Sequence, residues 1–245
     1  MLLFLGPNFL KEALVRLPVI LVALSFHEFA HAWMAHRCGD DTAKDMGRLT
    51  LNPLAHLDPI GTICLFFGPI GWAKPVPVNP FNFHYPRKDD IKVSIAGPMS
   101  NLILAIASFF VLATVLSIWG GDVAAGTVSD MAQIIIAMLF LSVVINFALM
   151  LFNMLPLFPL DGSHVVQNML KYPHAEKFAE FSRKAPMILM GVVIMDIFFL
   201  PRILGYSILW KVFIFPTKLL TDNFLSSHDL MALKMVVHKF LGYYI

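Results

Sequence analysis

His27, Glu28 and His31 stand in the run HEFAH, inside the apolar stretch LVALSFHEFAHAWMAH of residues 21–36. On an α-helix each residue advances about 100° around the axis, so positions four apart fall about 40° from one another and project from adjacent turns. Two imidazoles so placed suit two ligands of one zinc ion, and the glutamate beside them is free to act as a general base. A five-residue motif with three fixed positions also arises by chance. The surroundings weigh against chance here, because ionisable groups inside an apolar span need polar partners or a cation, and one metal satisfies all three. His36 falls about 180° from His27 and reads as an interfacial side chain at the helix end.

A catalytic zinc normally has three protein ligands and one open position, so another donor must come from a distant part of the chain. The strongest source is NMLPLFPLDGSHVV, residues 153–166. Pro156 and Pro159 remove backbone donors and stop the preceding helix. Non-helical backbone at membrane depth is tolerated only inside protein or beside a wet cavity. Asp161 ends this stretch, just before a helix expected to run to about Lys171. Aspartate there also makes a good N-cap, and the two roles can coexist. His164, His56 and Asp58 stand as reserve donors. Asn153 has two readings, an amide donor to the oxyanion of a reacting carbonyl and a tie between helices. Asn101, following Gly97 and Pro98, reads as interhelical glue.

The elements that position these residues follow from composition. Of 245 residues, 58% are hydrophobic and only 14% charged, with a mean hydropathy of +0.74. Soluble domains carry about 25% charged residues, so the chain is expected to be an integral membrane protein. Its net charge of +2 is too small to imply nucleic acid. Cys38 and Cys64 form no CxxC pair, and neither a disulfide framework nor a zinc knuckle is indicated. The N-terminus lacks an early basic region and a small-residue cleavage site and is expected to be retained.

Spans need roughly 20 apolar residues. Leu17–His36, Val93–Trp119 and Met131–Phe152 qualify, and Pro186–Leu200 is a shorter fourth. Two apolar blocks between Ile203 and Ile245 are either thin spans or surface helices, and they leave open a gating role or a homodimer contact. Ile60–Trp72 is too short to cross and reads as a re-entrant excursion. It leads into GWAKPVPVNP, where prolines alternate with Lys74, Val76 and Val78 in the manner of an edge strand or extended chain. Such an edge could pair with an unwound substrate segment, or merely plug the membrane face. The expected fold is an all-α polytopic membrane protein of about four to six transmembrane helices, with a re-entrant or extended β-like segment around 60–80, in one domain over 1–245. Basic residues fill 37–92 and 171–184 and are missing from 120–130, which places both chemical segments on the cytoplasmic side.

With these motifs in view, the chain resembles the site-2 protease family of intramembrane zinc metalloproteases, in its short prokaryotic form without PDZ or CBS domains. The matching parts are HEFAH, GRLTLNPLAHLDPIGT at 47–62, GWAKPVPVNP at 71–80, AGPMSN at 96–101 and NMLPLFPLDG at 153–162. They run in family order and cover most of residues 20–170, while 186–245 carry no match. The resemblance implies that His27, His31 and Asp161 hold one Zn2+, that Glu28 is the catalytic base, and that Asn153 assists near the reacting carbonyl. It implies a transmembrane protein as substrate, in a prokaryotic cell membrane. The rival class is a membrane protein that binds or carries a metal through the same residues without hydrolysis. A di-iron oxygenase fits less well, because the other histidines are scattered.

Overall fold

The computed structural model describes residues 9–67 and 71–241. Helix α1, Phe9–Arg37, carries HEFAH in its last third. The short α2, Thr42–Asp45, and α3, Pro59–Phe67, precede α4, Pro86–Ala125, and α5, Asp130–Asn153. Then come α6, Asp161–Met169, and α7, His174–Ile194, which continues through a π-helical turn, Met195–Phe199, into α8, Leu200–Leu204. Helices α9, Ile208–Phe224, and α10, Ser227–Leu241, complete the described chain. Among the described residues, four segments are long and apolar enough to cross a membrane: Ala13–Arg37, Pro86–Ala125, Asp130–Asn153 and His174–Leu204. The protein is an all-α, polytopic integral membrane protein.

Three spans start well before the apolar runs that announce them, α1 at Phe9 rather than Leu17. Helix α4 has 40 residues, about 60 Å at 1.5 Å each, whereas a bilayer core is about 30 Å thick. Pro86 starts it in the first turn, where a missing N–H costs nothing, and the polar turns of Arg87–Lys92 follow. Gly126 stops it at φ 72°, a conformation that favours glycine. Helix α7 likewise begins at His174 rather than Pro186, its first turns being charged. Hydropathy finds the apolar centre of a helix and misses polar turns that emerge from it.

The stretch around 60–80 splits in two. Helix α3 is nine residues long, about 14 Å, too short to cross. From Trp72 onward the chain has no helix until Pro80, and among the described residues its strand-type pairing is one isolated antiparallel bridge between Leu57 and Ala73. Pro75 and Pro77 lack the N–H groups that would extend a ladder.

α1, α4 and α5 form the packed centre with α10. Val15 and Val19 of α1 meet Leu112 and Leu116 of α4, Ile136 and Phe140 of α5, and Leu233 and Val237 of α10, all buried. The last helix is therefore part of the bundle interior rather than a surface appendage. Because α1 and α4 run antiparallel, the same pairing carries the end of α1 with HEFAH to the stretch Val93–Asn101 of α4. On the outer face of α4, Ile103, Phe110 and Ile118 are exposed, as suits a surface solvated by lipid.

Candidate metal centre

His27 and His31 lie one turn apart on α1 and are 6% and 8% exposed. Their Nε2 atoms stand 3.0 Å from each other. Asp161 comes to them from the first residue of α6, its Oδ2 3.3 Å from His27 Nε2 and its Oδ1 3.4 Å from His31 Nε2. These three form a group of donors able to hold one metal ion. Ligands about 2.0–2.1 Å from a tetrahedral zinc lie about 3.3 Å from one another, and the three observed spacings bracket that value.

The opposite ring nitrogens decide what the Nε2 atoms offer. His31 Nδ1 lies 2.7 Å from the Val93 carbonyl oxygen, which only accepts, so Nδ1 carries the proton. His27 Nδ1 lies 2.6 Å from Asn101 Oδ1 and donates to it. In the neutral rings, both Nε2 lone pairs then face each other and a carboxylate whose Oδ2 is buried without a hydrogen-bond partner. Such a cluster of acceptors is unfavourable until a cation sits among them, and nitrogen–nitrogen–oxygen donor sets suit zinc.

Close approach of α4 makes this arrangement possible. A Cβ added at Gly97 would lie 2.3 Å from His31 Nε2 and 2.7 Å from His27 Cε1, so any side chain there would strike the rings. Gly162 plays the matching part beside Asp161, since a Cβ there would come within 2.4 Å of the Met154 carbonyl oxygen. The capping role for Asp161 is not realised. It follows the N-cap Leu160, and no side-chain cap bond is made.

Glu28 is 9% exposed, and its Oε2 accepts the backbone N–H of Val76 at 2.9 Å. The segment bearing Val76 is clamped at both ends. Lys74 N–H donates to the His56 carbonyl at 2.8 Å, and Arg48 Nη2 donates to the Lys74 carbonyl at 2.6 Å. At the other end, Asp40 accepts from Asn79 N–H at 2.7 Å and from Asn82 Nδ2 at 2.8 Å. Burial by itself would raise the Asp40 carboxyl, but hydrogen bonds from Thr42, Asn79 and Asn82 hold it below the usual range.

The remaining candidates lie elsewhere. His56 Nε2 donates to the Thr50 carbonyl, Asp58 accepts from Gly61 N–H, and His36 pairs with Asp41. His164 faces Asp90 at 3.5 Å, which raises its imidazole above the ordinary value. Asn153, the last residue of α5, turns Nδ2 back to the Leu149 carbonyl at 3.0 Å. Several supports carry no reading in the sequence, Arg48 and the Val93 carbonyl among them. Arg48 offered a signal, a lone arginine in the 47–62 motif, but the Val93 carbonyl offered none, because any residue would supply it.

Residues 16–195 match the family model described as peptidase family M50. The chain is 46% identical over 153 residues to "Putative zinc metalloprotease YwhC" of Bacillus subtilis (strain 168), across 62% of this chain and 67% of that relative. It is 36% identical over 91 residues to "Putative zinc metalloprotease Rip2" of Mycolicibacterium smegmatis, across 35% of each. No solved structure matches the chain.

Proposed function

Given that the chain belongs to peptidase family M50, the site-2 protease family, we propose that it is an intramembrane zinc endopeptidase that cuts membrane proteins in or near their transmembrane segments. The observation that carries this reading is the convergence of His27 Nε2, His31 Nε2 and Asp161 on one point, with Glu28 adjacent on the same helix. One zinc ion per chain, held by these three, would supply Lewis-acid activation of water and of the scissile carbonyl. Glu28 takes the proton of the attacking water and passes it to the leaving amine. The Val76 N–H fixes one oxygen of that carboxylate and leaves the other for the proton. Asn153 is assigned the contact to the developing oxyanion, for which its amide must leave the Leu149 carbonyl.

The basic stretches 37–92 and 171–184 favour access from the cytoplasmic side, and the two bacterial relatives favour a bacterial membrane. The test is Glu28→Gln in purified protein reconstituted with a single-span membrane substrate. Retained zinc with cleavage lost is the expected result. Cleavage at the wild-type rate would overturn Glu28 as the base, whereas a wild type that binds zinc and cuts no substrate would favour a metal-binding role without hydrolysis.

A further inference from the structure

Asn101 and Asn146 are wholly buried, on α4 and α5, within a span where polar side chains are costly. Their amides form one connected series. Asn101 Oδ1 meets His27 Nδ1 at 2.6 Å, while Asn101 Nδ2 donates to the Ala23 carbonyl at 3.2 Å and to Asn146 Oδ1 at 2.8 Å. Asn146 Nδ2 donates in turn to the Ser142 carbonyl at 2.8 Å.

Amide oxygen and nitrogen are easily exchanged in assignment, but here the two ends fix the series. The Ser142 carbonyl can only accept, so Asn146 must present Nδ2 to it and Oδ1 to its neighbour. The Ala23 carbonyl can only accept, so Asn101 must present Nδ2 to it as well. Both constraints turn Asn101 Oδ1 toward His27, which then has to donate from Nδ1. A reversed Asn101 would set its amide oxygen against two acceptors in a buried site, each clash costing about 1–3 kcal/mol.

We infer that Asn101 and Asn146 are positioning residues that set the tautomer and ring orientation of His27, Asn146 acting only through Asn101. Polar partners behind a metal-bound histidine fix which nitrogen meets the ion and raise its basicity. Helix packing alone would need no such directed series. The inference rests on the proposed zinc site, and it adds residues from two further helices that touch no metal.

The experiment measures zinc affinity of the purified full chain by competition with a chelator, together with thermal melting of the metal-free protein. Asn101→Leu is expected to weaken zinc about 10–100-fold, as loss of such a partner does elsewhere. Asn101→Asp keeps an acceptor for His27 Nδ1–H and is expected to bind zinc more tightly than Asn101→Leu. A packing role predicts the reverse, because leucine suits a buried apolar helix contact better than a carboxylate. Asn146→Leu is expected to weaken zinc less than Asn101→Leu, and the double Leu variant to be no worse than Asn101→Leu alone. Nitrogen-15 shifts of His27 in the metal-free protein should report Nδ1–H in the wild type and a mixture of tautomers in Asn101→Leu. Equal zinc affinity in wild type and Asn101→Leu, additive losses in the double variant, or an Nε2–H wild type would each overturn the inference. Failure of the wild type itself to bind zinc would instead overturn the metal site.

Discussion

Glu28 Oε2 accepts a hydrogen bond from the backbone N–H of Val76, 48 residues along the chain, at 2.9 Å. The group proposed as base is thereby tied to the backbone of the segment 72–79. Proline on both sides of Val76 leaves its N–H as the single backbone donor between Lys74 and Val78.

Val76→Pro removes that donor, and proline's fixed φ of about −65° is compatible with an extended chain. A hydrogen bond to a charged group contributes about 1.5–3 kcal/mol, so kcat is expected to fall roughly tenfold or more. Zinc content should be unchanged. Wild-type kcat in this variant would show that the contact does not orient Glu28.

Gly97→Ala places a methyl group 2.3 Å from His31 Nε2. The contact is with an imidazole held from behind by the Val93 carbonyl, so the ring has little freedom to yield. Zinc affinity is expected to drop at least tenfold, on the scale of other ligand-shell disruptions. Retained affinity, measured by chelator competition, would mean that α1 and α4 separate more easily than their packing implies.

Asp40 gives the fold a pH dependence with a definite sign. Its carboxyl is held below the ordinary value of about 3.9 by Thr42, Asn79 and Asn82, which outweigh burial. A depressed folded-state value stabilises the protein above the unfolded value, and that stabilisation disappears as pH falls through the folded one. The stability difference between wild type and Asp40→Asn should therefore be constant above about pH 5 and shrink below about pH 4. Melting curves in detergent across that range measure it, and a difference that grew on acidification would contradict the assignment.

Asn153→Ala separates the two readings of that residue. As an oxyanion donor its loss should lower kcat about 100–1,000-fold with zinc retained. If kcat held while the melting temperature fell, the bond to the Leu149 carbonyl would be its whole contribution.

Much of the candidate site's geometry was legible in the sequence for reasons of helix geometry. The four-residue spacing of His27 and His31 dictates that they share a face, and the proline-broken run after Asn153 forces a carboxylate to the end of a non-helical stretch. Asn101 was visible too, but only as a tie between helices. Its bond to His27 depends on the depth at which α1 and α4 cross, which Gly97 sets and periodicity does not encode. The length of α4 escaped hydropathy because its first two turns are polar, and α10 stayed open between a thin span and a surface helix because composition does not say what its apolar face packs against. The clamp of Arg48 on the Lys74 carbonyl joins residues 26 apart; the arginine stands out in the 47–62 motif, but its backbone partner does not.

The central claim is that two imidazoles and one carboxylate hold a single catalytic cation. Zinc titration of the purified, metal-stripped chain beside Asp161→Asn tests it most directly. One tightly bound zinc per wild-type chain is expected, with markedly weaker binding in Asp161→Asn. A wild-type chain that takes up no zinc, or an Asp161→Asn chain that binds it as tightly, would contradict it.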